Sequence, residues 1–209
     1  MSTAASMSIP GQGPAAPGIP VYNQKLGMWV FLLSEVMFFT SLIGSYIILR
    51  MAHPEAYPTP GSVLNIPLTA FNTFVLICSS VTMVKAFAAA EMRDGPGIRR
   101  WLMATIALGV FFLSVQAFEY YKLAGHGFVP SVEGYAAAGG PLYGSTFYTM
   151  TGFHGAHVFL GVVALSFTLL RAMRGAYDNG DVRGVEVMGL YWHFVDLVWI
   201  ILFTIVYLM

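Results

Sequence analysis

Charge is what this chain has least of. Only 10% of its 209 residues are Asp, Glu, Lys or Arg, against 57% hydrophobic. The mean hydropathy of +0.70 is too high for a water-soluble globule of this size. Ten basic and ten acidic side chains leave no net charge, which excludes the basic field that binding nucleic acid or another acidic polymer requires. Cys78 is the single cysteine, so there is no internal disulfide, no paired-thiolate metal motif and no haem-attachment sequence. Alternation of apolar and polar residues with period 2 is missing, which excludes a membrane β-barrel. Residues 1–24 carry no charge and are rich in Gly, Pro, Ala and Ser. They lack the basic start of a signal peptide, and the following span is too long for a cleaved apolar core, so they read as a retained, disordered tail.

What is present is five long apolar runs, near 26–49, 66–90, 101–121, 147–170 and 188–208. Each suffices to cross about 30 Å of hydrocarbon at about 1.5 Å per residue. Breakers stand between them: His53-Pro54, Pro58, Pro60-Gly61, Gly95-Pro96-Gly97 and Gly139-Gly140-Pro141. The fold class this predicts is all-α, a polytopic membrane protein with a bundle of five transmembrane helices in residues 25–209. Lys25, Lys85, Arg93, Arg99, Arg100, Arg171, Arg174 and Arg183 fall toward one side, and only Arg50 and Lys122 toward the other. That asymmetry predicts a cytoplasmic N-terminus and an outside C-terminus.

A charge at the bilayer centre costs about 3 kcal/mol on insertion scales. Six titratable side chains nevertheless lie inside the runs: Glu35, Glu119, His154, His157, His193 and Asp196. Counting from the ends of the spans puts Glu35 at roughly 14 Å, Asp196 at roughly 12 Å and His193 at roughly 8 Å from the cytoplasmic side. Those three are expected to meet. His154 and His157 enter from the outer side at roughly 10 Å and 15 Å; Glu119, within a turn of the outer end, pairs in this reading with His154 or hydrates, and His157 joins either group. His154 and His157 are three residues apart in "GFHGAHVFLG", as are His193 and Asp196 in "YWHFVDLVW", so each pair shares a helix face. The small-residue steps Gly152–Ala156 and Ser41–Ser45 predict close helix approach beside them.

Three readings of this polar set compete. A neutral Glu35 hydrogen-bonded to a histidine fixes packing; the group relays or buffers protons; or the histidines bind metal. Position does not separate the first two. Metal is the least favoured, because "HGAH" and "HFVD" match neither a haem slot between facing histidines nor the Glu-x-x-His pairs of a di-iron site. Tyr120, Tyr121 and Lys122 in "FEYYKL" read as an interfacial belt, Trp29, Trp101 and Trp192 as anchors at the cytoplasmic interface, and Cys78 as an apolar filler.

The motifs "SEVMFF" (34–39), "SVQAFEYYKL" (114–123), "GSTFYTMTGFHGAHVFLG" (144–161) and "YWHFVDLVW" (191–199), with a weaker echo in "PLTAFNTFVLICSSVTM", occur in order on successive spans. In these the chain resembles subunit III of the haem–copper terminal oxidases, the cytochrome c oxidase subunit III family. The resemblance implies an accessory subunit of a bacterial enzyme that reduces O2 and pumps protons, multi-pass in the cell (inner) membrane. It implies no catalytic residue, metal or cofactor in this chain: the haems and copper belong to partner subunits. Subunit I, which is catalytic, subunit II and a small subunit IV are the implied protein partners, with membrane lipids and bound phospholipid beside them. Support of assembly, lipid retention and sustained proton uptake are the implied roles, and Glu35 matches the family's buried, carbodiimide-reactive glutamate. Longer members have seven helices, and this chain begins where their third would, so lipid sites built on the first two do not carry over. A quinol-oxidising complex is the alternative within the family. Outside it, the rival is a stand-alone proton-coupled transporter, which would call for internal repeats and broken helices that the sequence does not display.

Overall fold

A computed structural model of the chain describes residues 22–57, 61, 64–125, 140–177 and 180–208. Most of the expected N-terminal tail, residues 1–21, lies outside the described residues, and Asn23 and Gln24 already belong to a helix. Five helices follow in order: α1 (Asn23–Ala52), α2 (Ile66–Glu91), α3 (Gly95–Gly125), α4 (Gly140–Met173) and α5 (Arg183–Phe203). The last runs on into a single π-type turn, Thr204–Leu208. All five are long and apolar enough to cross a membrane.

Several helices overrun the apolar spans because their breakers sit where breakers are tolerated. Gly95-Pro96-Gly97 opens α3 rather than lying in a loop; Pro in a first turn loses no internal hydrogen bond. The Asp94 carboxylate accepts from the Gly97 amide at 3.0 Å, satisfying one of the free amides of that turn. Upstream, Arg93 takes the left-handed conformation, φ 57°, with its amide donating to Ala90 and that of Asp94 to Ala89. This is the bonding of a Schellman turn. It reverses the chain within three residues, so α2 and α3 form an antiparallel hairpin.

Helices α2, α3, α4 and α5 close into a ring in which each touches the next and α5 returns to α2. α1 stands outside this ring, packed on α5 and to a lesser extent on α4. In its most apolar stretch only 11% of residues are buried, against 56% in α5. The buried residues of the bundle include Trp192, Trp199, Phe112, Phe147, Met83 and Leu102. Much of the remaining apolar side-chain surface, such as Phe71, Phe74, Phe159, Phe167 and Leu197, faces outward. In water that pattern would be untenable; against acyl chains it is the stable one.

Trp192 fixes how closely the helices approach. Its indole fills the space left by Gly109 on α3 and Gly161 on α4, where an added Cβ would come within 2.7 Å and 2.9 Å of the ring. The close steps are therefore Gly109, Gly155 and Gly161, not the expected pairs. A Cβ at Gly152 would find nothing nearer than 3.9 Å, while Ala156, Ser41 and Ser45 are exposed. Nor is Trp192 an interfacial anchor: it is 0% exposed and donates through Nε1 to the Ser79 hydroxyl at 2.9 Å. Trp29 is exposed, and Trp101 lies beneath the Lys85 ammonium at 4.5 Å.

Candidate functional site

The expected polar residues fall into four separate arrangements. The first joins α1 to α4: Nε2 of His157 lies 3.0 Å from Oε2 of Glu35. Nδ1 of His157 lies 2.7 Å from the Phe153 carbonyl, and a carbonyl can only accept, so Nδ1 carries the ring's hydrogen. In a neutral imidazole Nε2 is then an acceptor, and the Glu35 carboxyl must supply the proton between them; in the charged form the ring supplies it to a carboxylate. Either way one proton lies on the Glu35–His157 axis. Phe39 packs its edge on His157, with centroids 5.1 Å apart, and Tyr191 of α5 donates to the His157 carbonyl at 2.9 Å.

Glu35 therefore does not meet His193 and Asp196. The helical phase of α5 turns His193 toward α2, where its Nδ1 lies 2.5 Å from the Ser80 hydroxyl. Asp196, 4% exposed, has the Ser80 hydroxyl as its polar neighbour, yet neither carboxylate oxygen has a hydrogen bond, and it takes part in no ion pair among the described residues. His193 also borders an apolar groove of about 630 Å³ between α1 and α5, walled by Trp29, Leu33, Val36, Phe194 and Leu197.

The third arrangement overturns the hydrated reading of Glu119. Its side chain is buried, 7% exposed, and accepts from the Thr69 hydroxyl at 3.0 Å and the Tyr207 hydroxyl at 3.3 Å. It ties α2, α3 and the C-terminal turn together and does not touch His154. Tyr120 likewise turns inward from the presumed belt, donating to Thr151 at 2.6 Å, whereas Tyr121 is 79% exposed.

The fourth is a closed circuit of hydrogen bonds around the inner bundle. Asn72 of α2 donates to the Phe112 carbonyl of α3 at 3.2 Å. Gln116 of α3 donates to the Thr151 carbonyl of α4 at 2.9 Å. Nε2 of His154 on α4 donates to the Val195 carbonyl of α5 at 3.1 Å, and Trp199 of α5 returns to the Thr73 hydroxyl of α2 at 2.9 Å. Of these only His154 is among the six titratable residues. Asn72, Gln116 and Ser80 escaped a search for ionisable groups, although Gln116 and Asn72 stand inside two of the motifs quoted above; uncharged polar residues deep in an apolar run were the available signal.

At the cytoplasm-facing ends predicted from Lys and Arg, Lys25 and Glu186 form an ion pair at 2.5 Å and Tyr22 donates to the same carboxylate at 2.8 Å. Burial first, and then the Glu186 contact, push the Tyr22 phenol above its ordinary range. On the neighbouring turn the Arg183 guanidinium holds the Asp181 carboxyl below the usual range. Among the described residues no three His, Cys, Asp or Glu side chains gather closely enough to hold a metal ion.

The family model described as "Cytochrome c oxidase subunit III" matches residues 19–209. The chain is 38% identical over 185 residues to a cytochrome c oxidase subunit 3 of Thermostichus vulcanus, covering 88% of this chain and 86% of the relative. It is 40% identical over 184 residues to a probable cytochrome c oxidase subunit 3 of Mycobacterium bovis, with the same coverage. Similarity to the cytochrome c oxidase subunit 3 of Synechocystis, at 37% over 205 residues, spans 98% of this chain and 83% of the relative.

Proposed function

The chain belongs to the cytochrome c oxidase subunit III family, and from that premise we propose that it is the non-redox subunit III of a bacterial haem–copper terminal oxidase. It is a multi-pass membrane protein. The observation that carries the proposal is the match over residues 19–209, which takes in every described helix. The names of the relatives favour cytochrome c over quinol as the complex's electron donor.

In this reading the chain stands beside subunits I and II with its N-terminus in the cytoplasm, as the positions of Lys and Arg favour. Assembly and sustained proton uptake are its roles, with Glu35 and His157 as the proton-handling pair. The one proton between these two groups, in a contact whose side chains are 17% and 15% exposed, supports that assignment. Lipid retention is supported by the α1–α5 groove, about 630 Å³ in volume and walled almost wholly by apolar side chains.

Purification tests the proposal. The tagged chain extracted in mild detergent is expected to bring with it a haem-bearing catalytic subunit, with O2 consumption driven by reduced cytochrome c. Recovery of the chain alone would reject the oxidase assignment, and a preparation active only with quinol would reject the donor.

A further inference from the structure

We infer that water molecules are bound inside the α2–α5 bundle, in the layer of His154, as a structural part of the protein. The circuit of hydrogen bonds described above uses only one polar end of each of three side chains. Asn72 Oδ1, Gln116 Oε1 and His154 Nδ1 are buried and have no hydrogen-bond partner. Their residues are 2%, 6% and 0% exposed, so bulk water does not reach them.

The chemistry of the bonds already made fixes the character of the free ends. Asn72, Gln116 and His154 each engage a backbone carbonyl, which can only accept. The engaged ends are therefore the amide NH2 groups and an imidazole N–H. The free ends are two amide oxygens and a bare ring nitrogen, all three acceptors. Rotating an amide or exchanging the ring tautomer would break the bond to the carbonyl without removing the mismatch. What fits is a ligand that brings donors.

The three residues stand on neighbouring turns of the bundle. Asn72 bonds the carbonyl of Phe112, and Gln116 is one turn beyond Phe112 on α3. Thr151, the partner of Gln116, is one turn before His154 on α4. The rings of Phe112, His154 and Trp199 are in mutual contact, with centroids 6.0, 5.0 and 4.7 Å apart. The Gln116 amide lies directly against Gly155, where an added Cβ would meet Oε1 at 2.9 Å. A water molecule supplies two donors and is small enough to lodge beside such groups, and buried waters characteristically bridge polar atoms that the chain leaves unpaired. A bound metal cation is the poorer match, since hard cations gather about six oxygens.

The bundle contains its own comparison residue. Trp192 lies in a different layer, between Gly109 and Gly161, and its N–H is paired with a Ser79 hydroxyl that itself donates to the Leu76 carbonyl. Both tryptophans are buried, Trp192 at 0% and Trp199 at 2% exposure, but of the two it is Trp199 that packs on the His154 ring, at 4.7 Å between centroids.

The test is radiolytic hydroxyl labelling of the full chain, in whatever assembly it purifies with, in water enriched in oxygen-18. Radicals made from a bound water attack what it touches. Trp199 and Phe112 are expected to take up label several-fold faster than Trp192. A Gln116→Leu variant, lacking one of the acceptors, is expected to bring Trp199 down toward the rate of Trp192. Equal labelling of the two tryptophans in the unmodified chain overturns the inference whether or not the variant assembles. So does a density map of the assembly, sharp enough to show other internal waters, that shows no density or a metal ion beside Gln116 Oε1 and His154 Nδ1.

Discussion

His157 Nε2 on α4 and Glu35 Oε2 on α1 lie 3.0 Å apart, a titratable pair that joins the two helices. Because Nδ1 is committed to the Phe153 carbonyl, the two residues share one proton rather than each holding its own. Glu35→Gln keeps an N–H donor toward His157 but nothing that exchanges. It is expected to leave the subunit in place in the purified complex and to shorten the period of steady turnover. Glu35→Leu strands the His157 acceptor, a loss of about 1–3 kcal/mol, and is expected to loosen α1, read as loss of the subunit on mild heating. Unaltered turnover in Glu35→Gln would assign the pair to packing alone.

Two classes of glycine should respond oppositely to one methyl group. At Gly109 and Gly161 an added Cβ meets the Trp192 ring at 2.7 Å and 2.9 Å, and overpacking of this kind costs about 1–3 kcal/mol. At Gly27 and Gly44 of α1 nothing lies within 4 Å, and alanine is favoured in a helix interior by about 0.5–1 kcal/mol. Thermal unfolding of the detergent-solubilised chain should fall for Gly109→Ala and Gly161→Ala and hold or rise for the other two. If the α1 pair weakens only the assembled complex, a partner helix covers that face.

Lys25 and Glu186 link the first turns of α1 and α5, with side chains 29% and 22% exposed. A partly exposed pair contributes about 0.2–1 kcal/mol and is screened by salt. A double-mutant cycle with Lys25→Met and Glu186→Gln should return a coupling in that range at low ionic strength, and a smaller one at high. Absence of coupling at low salt would show that Tyr22 and packing hold this end without the ion pair.

Glu119 is held by hydroxyls instead of water. Thr69→Val removes the donor at 3.0 Å and Tyr207→Phe the donor at 3.3 Å; each is expected to lower stability by about 1 kcal/mol or somewhat more, since a buried acceptor is left short. Chemical modification of the carboxyl in the native protein should be slow at Glu119. Rapid modification there would contradict its burial.

The number of helices, their membrane character and the family were all legible in the sequence, because runs of twenty or more apolar residues, breakers between them and motif order are linear properties of the chain. The sequence also singled out six titratable side chains whose burial needed explaining, and its estimate of depth brought Glu35 and His157 to the same level. Depth along a span is a matter of counting residues at a fixed rise. What counting could not supply is rotation: which way each helix turns about its axis and which helix lies beside it. That decided that Glu35 meets His157 and not His193, that Glu119 answers to Thr69 and Tyr207 and not His154, and that Trp192 fills the core and not the interface. Asn72, Gln116 and Trp199 form a circuit with His154 through carbonyls and a hydroxyl on neighbouring helices. The backbone presents such acceptors whatever its side chains, so only packing selects which of them are used.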